Sequence, residues 1–395
     1  MDLTRKNVAV LAACQGLLLA NNSALVTVNA LAGYALATDK SLATLPVTAY
    51  FVGSMLTTLP LSLLMKRYGR RAGFTLGAVF AVLGSLACAG AVYIGSFWLL
   101  CLGVLVLGGY LAAGQYYRFA ATDAAPPEFR SQAISLVLAG GLVGGFLGPV
   151  ASTYAKDVMT GHAYVGAYFV LVALAVLSML VLRWLDIPPL TASERKDAGR
   201  PFGAIARQPA FIVAVLCGMV SYGVMNLIMT ATPLAMVACQ HPFSDAAFVI
   251  QWHFISMFAP SFVTGKLIHR FGLRTILLTG VALNVGCVAI ALSGLDVAHF
   301  WFALVLVGLG WNFLFVGATT LLTECHTPAE RAKVQGVNDA AIFTMLVVSS
   351  LSSGALFTYQ GWQVMNASAL PFLLLTGIAI LWLAAGRRRR PRAAG

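Results

Sequence analysis

Residues 66–71 read Lys-Arg-Tyr-Gly-Arg-Arg, and residues 269–274 read His-Arg-Phe-Gly-Leu-Arg. The shared pattern is Arg-(Tyr/Phe)-Gly-x-Arg, with Arg67 and Arg270, Gly69 and Gly272, and Arg71 and Arg274 each 203 positions apart. A second pattern behaves the same way: Asp123-x3-Pro127-x2-Arg130 returns 201 positions later as Glu324-x3-Pro328-x2-Arg331. Two charged motifs recurring at almost one spacing imply a duplicated unit of roughly 200 residues. Each copy lies between long apolar stretches, so the duplicated unit is built from those stretches and the basic loops joining them.

The apolar stretches decide the environment. Of the 395 residues, 59% are hydrophobic and 10% charged, and the mean hydropathy is +0.86. A soluble domain carries about 25% charged residues, so this chain has too few charges to cover a water-facing surface. Its apolar runs of roughly 20 residues match the ~30 Å hydrocarbon core of a bilayer. Twelve spans are expected, at 7–34, 43–65, 73–95, 98–121, 131–155, 163–184, 208–236, 246–267, 275–294, 298–323, 332–357 and 362–386. Each must be helical, because lipid offers no partner for an unpaired backbone group and no strand alternation is visible. The expected fold class is thus an all-α membrane protein, twelve transmembrane helices in two parallel six-helix repeats. The expected domains are an N-terminal bundle at 1–184, a polar cytoplasmic linker at 185–207 and a C-terminal bundle at 208–395 ending in a basic tail. Met1 to Lys6 leads into an apolar run too long for a cleaved signal, so the first span is expected to direct its own insertion. Seven cysteines show no CxxC pair or other metal spacing and read as packing residues. No cofactor and no metal are expected.

Charge sets the topology. With both termini placed inside, 23 of the 25 Lys and Arg fall on cytoplasmic segments or the adjacent helix ends, and only Lys40 and Lys156 fall outside. Cytoplasmic loops of membrane proteins carry such an excess, so the expected location is a bacterial inner membrane with both termini cytoplasmic. The net charge of +12 then reflects loops beside anionic lipid, without a nucleic-acid partner. The RRRRPR run at 387–392 reads as a topological anchor.

On these loop motifs the chain resembles the major facilitator superfamily over essentially its full length. Residues 62–71 are similar to that family's G-x3-[DN]-[RK]-x-G-[RK]-[RK] signature between the second and third spans. Asp123, Pro127 and Arg130 resemble its signature after the fourth span, and Gly144-x3-Gly148-Pro149 resembles part of a glycine-proline element associated with antiporters. Ser62 and Lys66 stand where the first signature has glycine and an acid; in the second copy Gly265 is kept and His269 replaces the acid. No arginine occupies the middle of the fourth span. The resemblance implies a transporter working by alternating access, with spans three, six, nine and twelve peripheral and the other eight lining a cavity. In parallel repeats, the substrate site lies between the halves. The candidate gating residues are Arg67, Gly69, Arg71, Asp123 and Arg130, with Arg270, Gly272, Arg274, Glu324 and Arg331 as their copies. Physically, arginine's rigid fork at Arg67, Arg70 or Arg71 can hold carboxylates or helix-end carbonyls; plain topology anchoring is the competing role.

Polar residues at membrane depth are costly and mark a cavity. The candidates are Asn22 and Asn29 in span one, Tyr50 in span two, Gln115 and Arg118 in span four, and Asn226 in span seven. Gln251 and His253 in span eight, Asn312 in span ten and Asn338 in span eleven complete the set. Leu111, Gln115 and Arg118 share a helix face. Arg118 requires water, a carboxylate or an anionic substrate; a structural pair with Asp339 or snorkelling to the loop is the alternative. Of the 13 acids, Asp339 alone lies well inside a span. It reads either as a proton carrier or as a fixed partner of Arg118 or Lys66. His253, 203 positions after Tyr50, is the second proton-coupling candidate, with neutral binding of substrate or a hydroxyl as its alternative. Trp252, Trp311, Tyr110, Tyr116 and Tyr117 are either an aromatic wall or packing.

The leading function on sequence is a proton-coupled carrier of a small organic molecule, with export favoured by the glycine-proline element. Uptake of a nutrient or vitamin-like organic anion is the rival, because Arg118 suits an anionic group. A monomer is expected to suffice. An enzyme is excluded by the absence of HExxH, clustered histidines and a serine-histidine-acid set. A channel lacks its filter loop or charge ring, and a non-transporting sensor would have no soluble output domain.

Overall fold

The computed structural model describes residues 3–38, 42, 45–123, 125–155, 158–159, 164–188, 197 and 199–389. Lys40, Lys156, residues 189–196 of the linker and the tail from Arg390 lie outside the described residues, as do the side chains of Pro149 and of Arg387 to Arg389. Among the described residues there is no strand.

Ten helical stretches are long and apolar enough to cross a membrane, or eleven when Ser244–Phe258 and Ser261–Phe271, bent by 43°, form one span. One stretch, Arg331–Gly386, runs for 56 residues. At 1.5 Å per residue that is about 84 Å, more than twice the hydrocarbon thickness, and it breaks at Gly361 (φ 78°, ψ 174°). Counting it as two spans gives twelve. Just beyond the break, the Trp362 indole N–H donates to the Ala291 carbonyl at 2.9 Å, fixing the segment that leads into the twelfth span to the ninth.

The duplication appears in the packing. In the first repeat the third span (Arg70–Ile94) packs on the fourth (Phe97–Gln115, continuing as Tyr117–Asp123) and on the sixth (Val165–Val181). The second span (Leu45–Tyr68) also packs on the fourth. In the second repeat the ninth span (Leu273–Ser293) packs on the tenth (Val297–Thr323) and twelfth (Leu370–Arg389), and the eighth packs on the tenth. The loop glycines correspond too: Gly69 has φ 90°, ψ 164° and Gly272 has φ 83°, ψ 150°. Both close a corner between two helices in a backbone region that side chains with a Cβ avoid, which explains why glycine stands in both copies.

By contacts the chain forms two units, Met1–Gly199 with Thr327–Val347, and Arg200–His326 with Val348–Gly395. Thus the first part of span eleven (Arg331–Gln360), although it belongs to the second sequence repeat, packs with the first unit. In that unit span one (Leu3–Leu36) lies against span five (Arg130–Ala139 and Gly141–Ala155) along a stripe of glycines. A Cβ added at Gly140, Gly144 or Gly148 would overlap the backbone carbonyl oxygens of Ala12, Gly16 and Ala20 respectively. Small residues at four-residue spacing let two membrane helices approach to backbone contact. The glycines of the antiporter-like element therefore have a packing reason for their presence. The linker begins on the same unit: Asn7 donates to the Asp186 carbonyl at 2.7 Å and accepts from the Asp186 N–H at 3.0 Å.

Candidate functional site

Burial of charge is the main feature of the first unit. Arg118 and Asp339 have side chains 2% and 1% exposed and form an ion pair at 2.5 Å. The fourth span is interrupted at Tyr116 (φ −82°, ψ −7°), and Arg118 lies just beyond. Its second terminal nitrogen donates to both the carbonyl and the side-chain oxygen of Gln115, each at 2.5 Å, and its guanidinium stands 4.4 Å over the Phe119 ring. The predicted Gln115–Arg118 face is thus one hydrogen-bonded unit. On the other side, Asn338 donates to the same Asp339 oxygen, Oδ1, at 2.8 Å. Asp339 Oδ2 is buried without a hydrogen-bond partner. Of the two partners considered for Asp339, Arg118 is the one present; Lys66 donates instead to the Asp197 carbonyl at 2.8 Å.

A second charged group lies at the loop end of the same unit. Asp123 Oδ2 accepts from Arg70 at 2.8 Å and from Arg331 at 3.0 Å. Arg70 also donates to Gln335 at 2.8 Å and stands 5.9 Å from the Tyr116 ring centroid. Arg331, Gln335, Asn338 and Asp339 recur at helical spacing on span eleven, so one face of that helix carries both groups. Ser62, where the signature has glycine, donates to the Ala332 carbonyl at 2.8 Å. Arg67 and Arg71 are exposed, whereas Arg70 between them is buried. The loop's buried ion pair therefore falls to the arginine at the variable position of the repeat pattern. Asp123 and Arg331 join it directly, and Arg130 keeps its Nε buried without a partner.

The copy of this loop in the second unit is different. Arg270, Gly272, Arg274 and Glu324 are exposed, and Leu273 occupies the position of Arg70. His253 is fully buried, with Nδ1 2.9 Å from the Leu304 carbonyl. A carbonyl can only accept, so Nδ1 carries the hydrogen and Nε2, which has no partner, is the bare nitrogen. Tyr50, its counterpart in the first unit, is likewise buried. Asn226 donates to Ser349 at 2.9 Å. Asn312 donates to the Met257 carbonyl at 2.7 Å and to Ser261 at 2.5 Å, and accepts from Thr264 at 2.7 Å. It thereby satisfies backbone at the bend of span eight, beside Pro260. Asn29 accepts from Tyr168 at 2.7 Å, tying span one to span six. Asn22 is half-buried and Gln251 exposed.

The five aromatic candidates do not form one wall. Tyr116 donates to the Thr58 carbonyl at 2.8 Å, Tyr117 meets Phe74 edge-on at 4.7 Å, and Trp252 stands 38% exposed beside Trp301. Trp311 belongs to a separate cluster. Its ring stacks on Phe315 at 5.1 Å and meets Phe258 at 5.6 Å, and Tyr222 stands perpendicular to both Trp311 and Phe315, at 5.3 and 4.9 Å.

The family model for the Major Facilitator Superfamily matches residues 11–323 and 214–395. The chain belongs to the major facilitator superfamily. It is 40% identical over 379 residues, 95% of each chain, to a Brucella anthropi protein named riboflavin transporter RfnT. It is 28% identical over 384 residues, 90% of this chain and 86% of the other, to an uncharacterized MFS-type transporter, YddS, of Bacillus subtilis. Among solved structures, the human organic anion transporter MFSD10 superposes with a TM-score of 0.81 at 14% identity, covering 95% of this chain and 99% of that one. The transporter FucP in its outward conformation gives 0.74 at 16% identity, covering 94% and 98%. At such identities the structures establish the fold alone. The protein is therefore a multi-pass membrane transporter of a small molecule and not an enzyme.

Proposed function

We propose that this transporter carries riboflavin, or a flavin of the same chemistry, into the cell. The 40% identity over 95% of both chains to a protein named for riboflavin transport carries this reading. The charge arrangement supports it. Riboflavin is uncharged at neutral pH and needs no fixed countercharge, and the cation that suggested an organic anion is already neutralised by Asp339. Recruiting Arg118 to an anion would leave Asp339 buried alone, at a cost of about 3–5 kcal/mol. The packing of the span-five glycines against span one favours neither direction, so the uptake reading rests on the relative alone.

Asp339 is the favoured coupling group within this reading. A proton on its partnerless Oδ2 cancels the charge that holds Arg118, so protonation and release of the arginine become one event; His253 is the second candidate. The basic-residue asymmetry supports cytoplasmic termini and linker in a bacterial inner membrane, and one chain is taken as the working unit. The decisive experiment is accumulation of labelled riboflavin by a riboflavin-auxotrophic bacterium expressing the protein. Proteoliposome flux at imposed pH gradients, with Asp339→Asn and His253→Gln, then tests coupling. Growth rescue with flux that follows the gradient is expected. Absence of riboflavin flux removes the substrate, and undiminished gradient dependence in the double variant removes both coupling residues.

A further inference from the structure

Trp311 lies midway along span ten, 1% exposed, and its indole N–H has no acceptor. A buried donor without a partner is destabilising, and such groups in native structures call for an explanation. The neighbours make this one specific. Around Trp311 stand three further rings, Tyr222, Phe258 and Phe315, with centroids 4.9–5.6 Å apart. Of the four, Tyr222 alone is half-buried rather than buried, and it covers the Trp311–Phe315 stack at right angles. The cluster thus combines closely packed aromatic rings, of which Tyr222 at the edge is the least buried, with the unpartnered Trp311 donor. That combination suits a flat heteroaromatic ring system bearing a carbonyl on its rim: the half-buried Tyr222 ring takes the face, and the N–H takes the carbonyl.

We infer that Tyr222, Trp311 and Phe315 seat the substrate's fused ring system, Tyr222 by stacking and Trp311 by donating its Nε1–H to a ring carbonyl. This rests on the riboflavin reading, whose isoalloxazine ring has such carbonyls. It goes beyond that reading in assigning the ring, rather than the ribityl tail, to these residues of the second unit. Trp311→Phe keeps an aromatic ring and removes the donor, so binding should weaken about three- to tenfold, the range of one lost hydrogen bond. Tyr222→Leu, at a half-buried position where folding is least at risk, should weaken it to a similar degree.

The test is quenching of flavin fluorescence by purified wild type, Trp311→Phe and Tyr222→Leu, with thermal melting as a folding control. Lumiflavin, which has the ring and lacks the tail, is the competing probe. The expected result is that riboflavin and lumiflavin lose affinity by the same factor in each folded variant. If riboflavin binds the wild type and both variants equally, the ring seat is wrong while the substrate stands. The ring assignment is equally overturned if lumiflavin fails to compete, or if only riboflavin is weakened. If wild type binds no flavin, the substrate reading falls and the ring seat falls with it.

Discussion

At Gly69 and Gly272 the chain turns the same corner, but the residue after the first glycine is a buried arginine and the residue after the second is a leucine. Arg70 reaches Asp123, which also takes Arg331; of the counterparts, Leu273 carries no charge and Glu324 is exposed. Deeper in the bundle the contrast repeats. Arg118 in span four has Thr319 as its equivalent, 201 positions on. The corners and the helix packing recur in both units, while the buried ion pairs described above, Arg118–Asp339 and Asp123 with Arg70 and Arg331, lie in the first. The two units thus share their corners and helix packing but differ in the charge buried at equivalent positions.

The sharpest way to break this contrast is at the deepest pair. Arg118→Ala leaves Asp339 without its cation and should cost about 3–5 kcal/mol, with loss of transport. Arg118→Lys should restore little, since one ammonium cannot serve Asp339 and both Gln115 oxygens in that fork geometry. Thr319→Ala should cost about 1 kcal/mol. Thermal melts and flux in proteoliposomes measure all three, and an active alanine variant of Arg118 would reduce the pair to packing.

Next in size is the loop acid. Asp123→Asn weakens two arginine contacts at once and should cost about 2–3 kcal/mol, slowing transport. Glu324→Gln should stay within about 0.5 kcal/mol of wild type. Equal sensitivity of the two copies would mean the second loop carries a hidden equivalent.

Exchange of the differing residues sharpens the point further. Arg70→Leu, which gives the first loop the second loop's residue, should lower the transport rate several-fold. Leu273→Arg should change melting by no more than about 0.5 kcal/mol. The smallest effects belong to the exposed arginines. Arg67→Ala and Arg270→Ala should change rate by no more than about twofold, because exposed charges contribute little, with substrate affinity unchanged. A larger loss at Arg67 alone would extend the asymmetry to the surface.

The duplication and the spans were legible because both rest on periodicity and spacing, which survive without coordinates. The Arg118–Asp339 pair was one of two alternatives for each residue, and composition alone could not choose between a fixed partner and a ligand. Arg70 was harder to single out among three arginines. Which member of Lys-Arg-Tyr-Gly-Arg-Arg turns inward depends on the corner at Gly69, a backbone property that the letters do not state. Asn312 and Asn29 illustrate a different limit: an asparagine at membrane depth marks either a cavity or a helix join, and both demand polar partners. For Asn312 the signal was Pro260 in the facing span, since a proline leaves backbone groups that something nearby must satisfy. Gly144 and Gly148 read on sequence as part of the antiporter-like element; with Gly140 at the same four-residue spacing they form a packing pattern in its own right.

The corner at Gly361 bears on how the protein is made. As the chain leaves the ribosome, the insertion machinery meets a 56-residue stretch with no Lys, Arg, Asp or Glu after Asp339 to divide it. Whether that run becomes one long helix or a hairpin decides the parity of membrane crossings, and so the side on which the arginine tail emerges. A glycine at φ 78°, followed by an indole that pins the next turn to span nine, decides for the hairpin. One backbone angle between spans eleven and twelve thus separates two topologies for the C-terminal end.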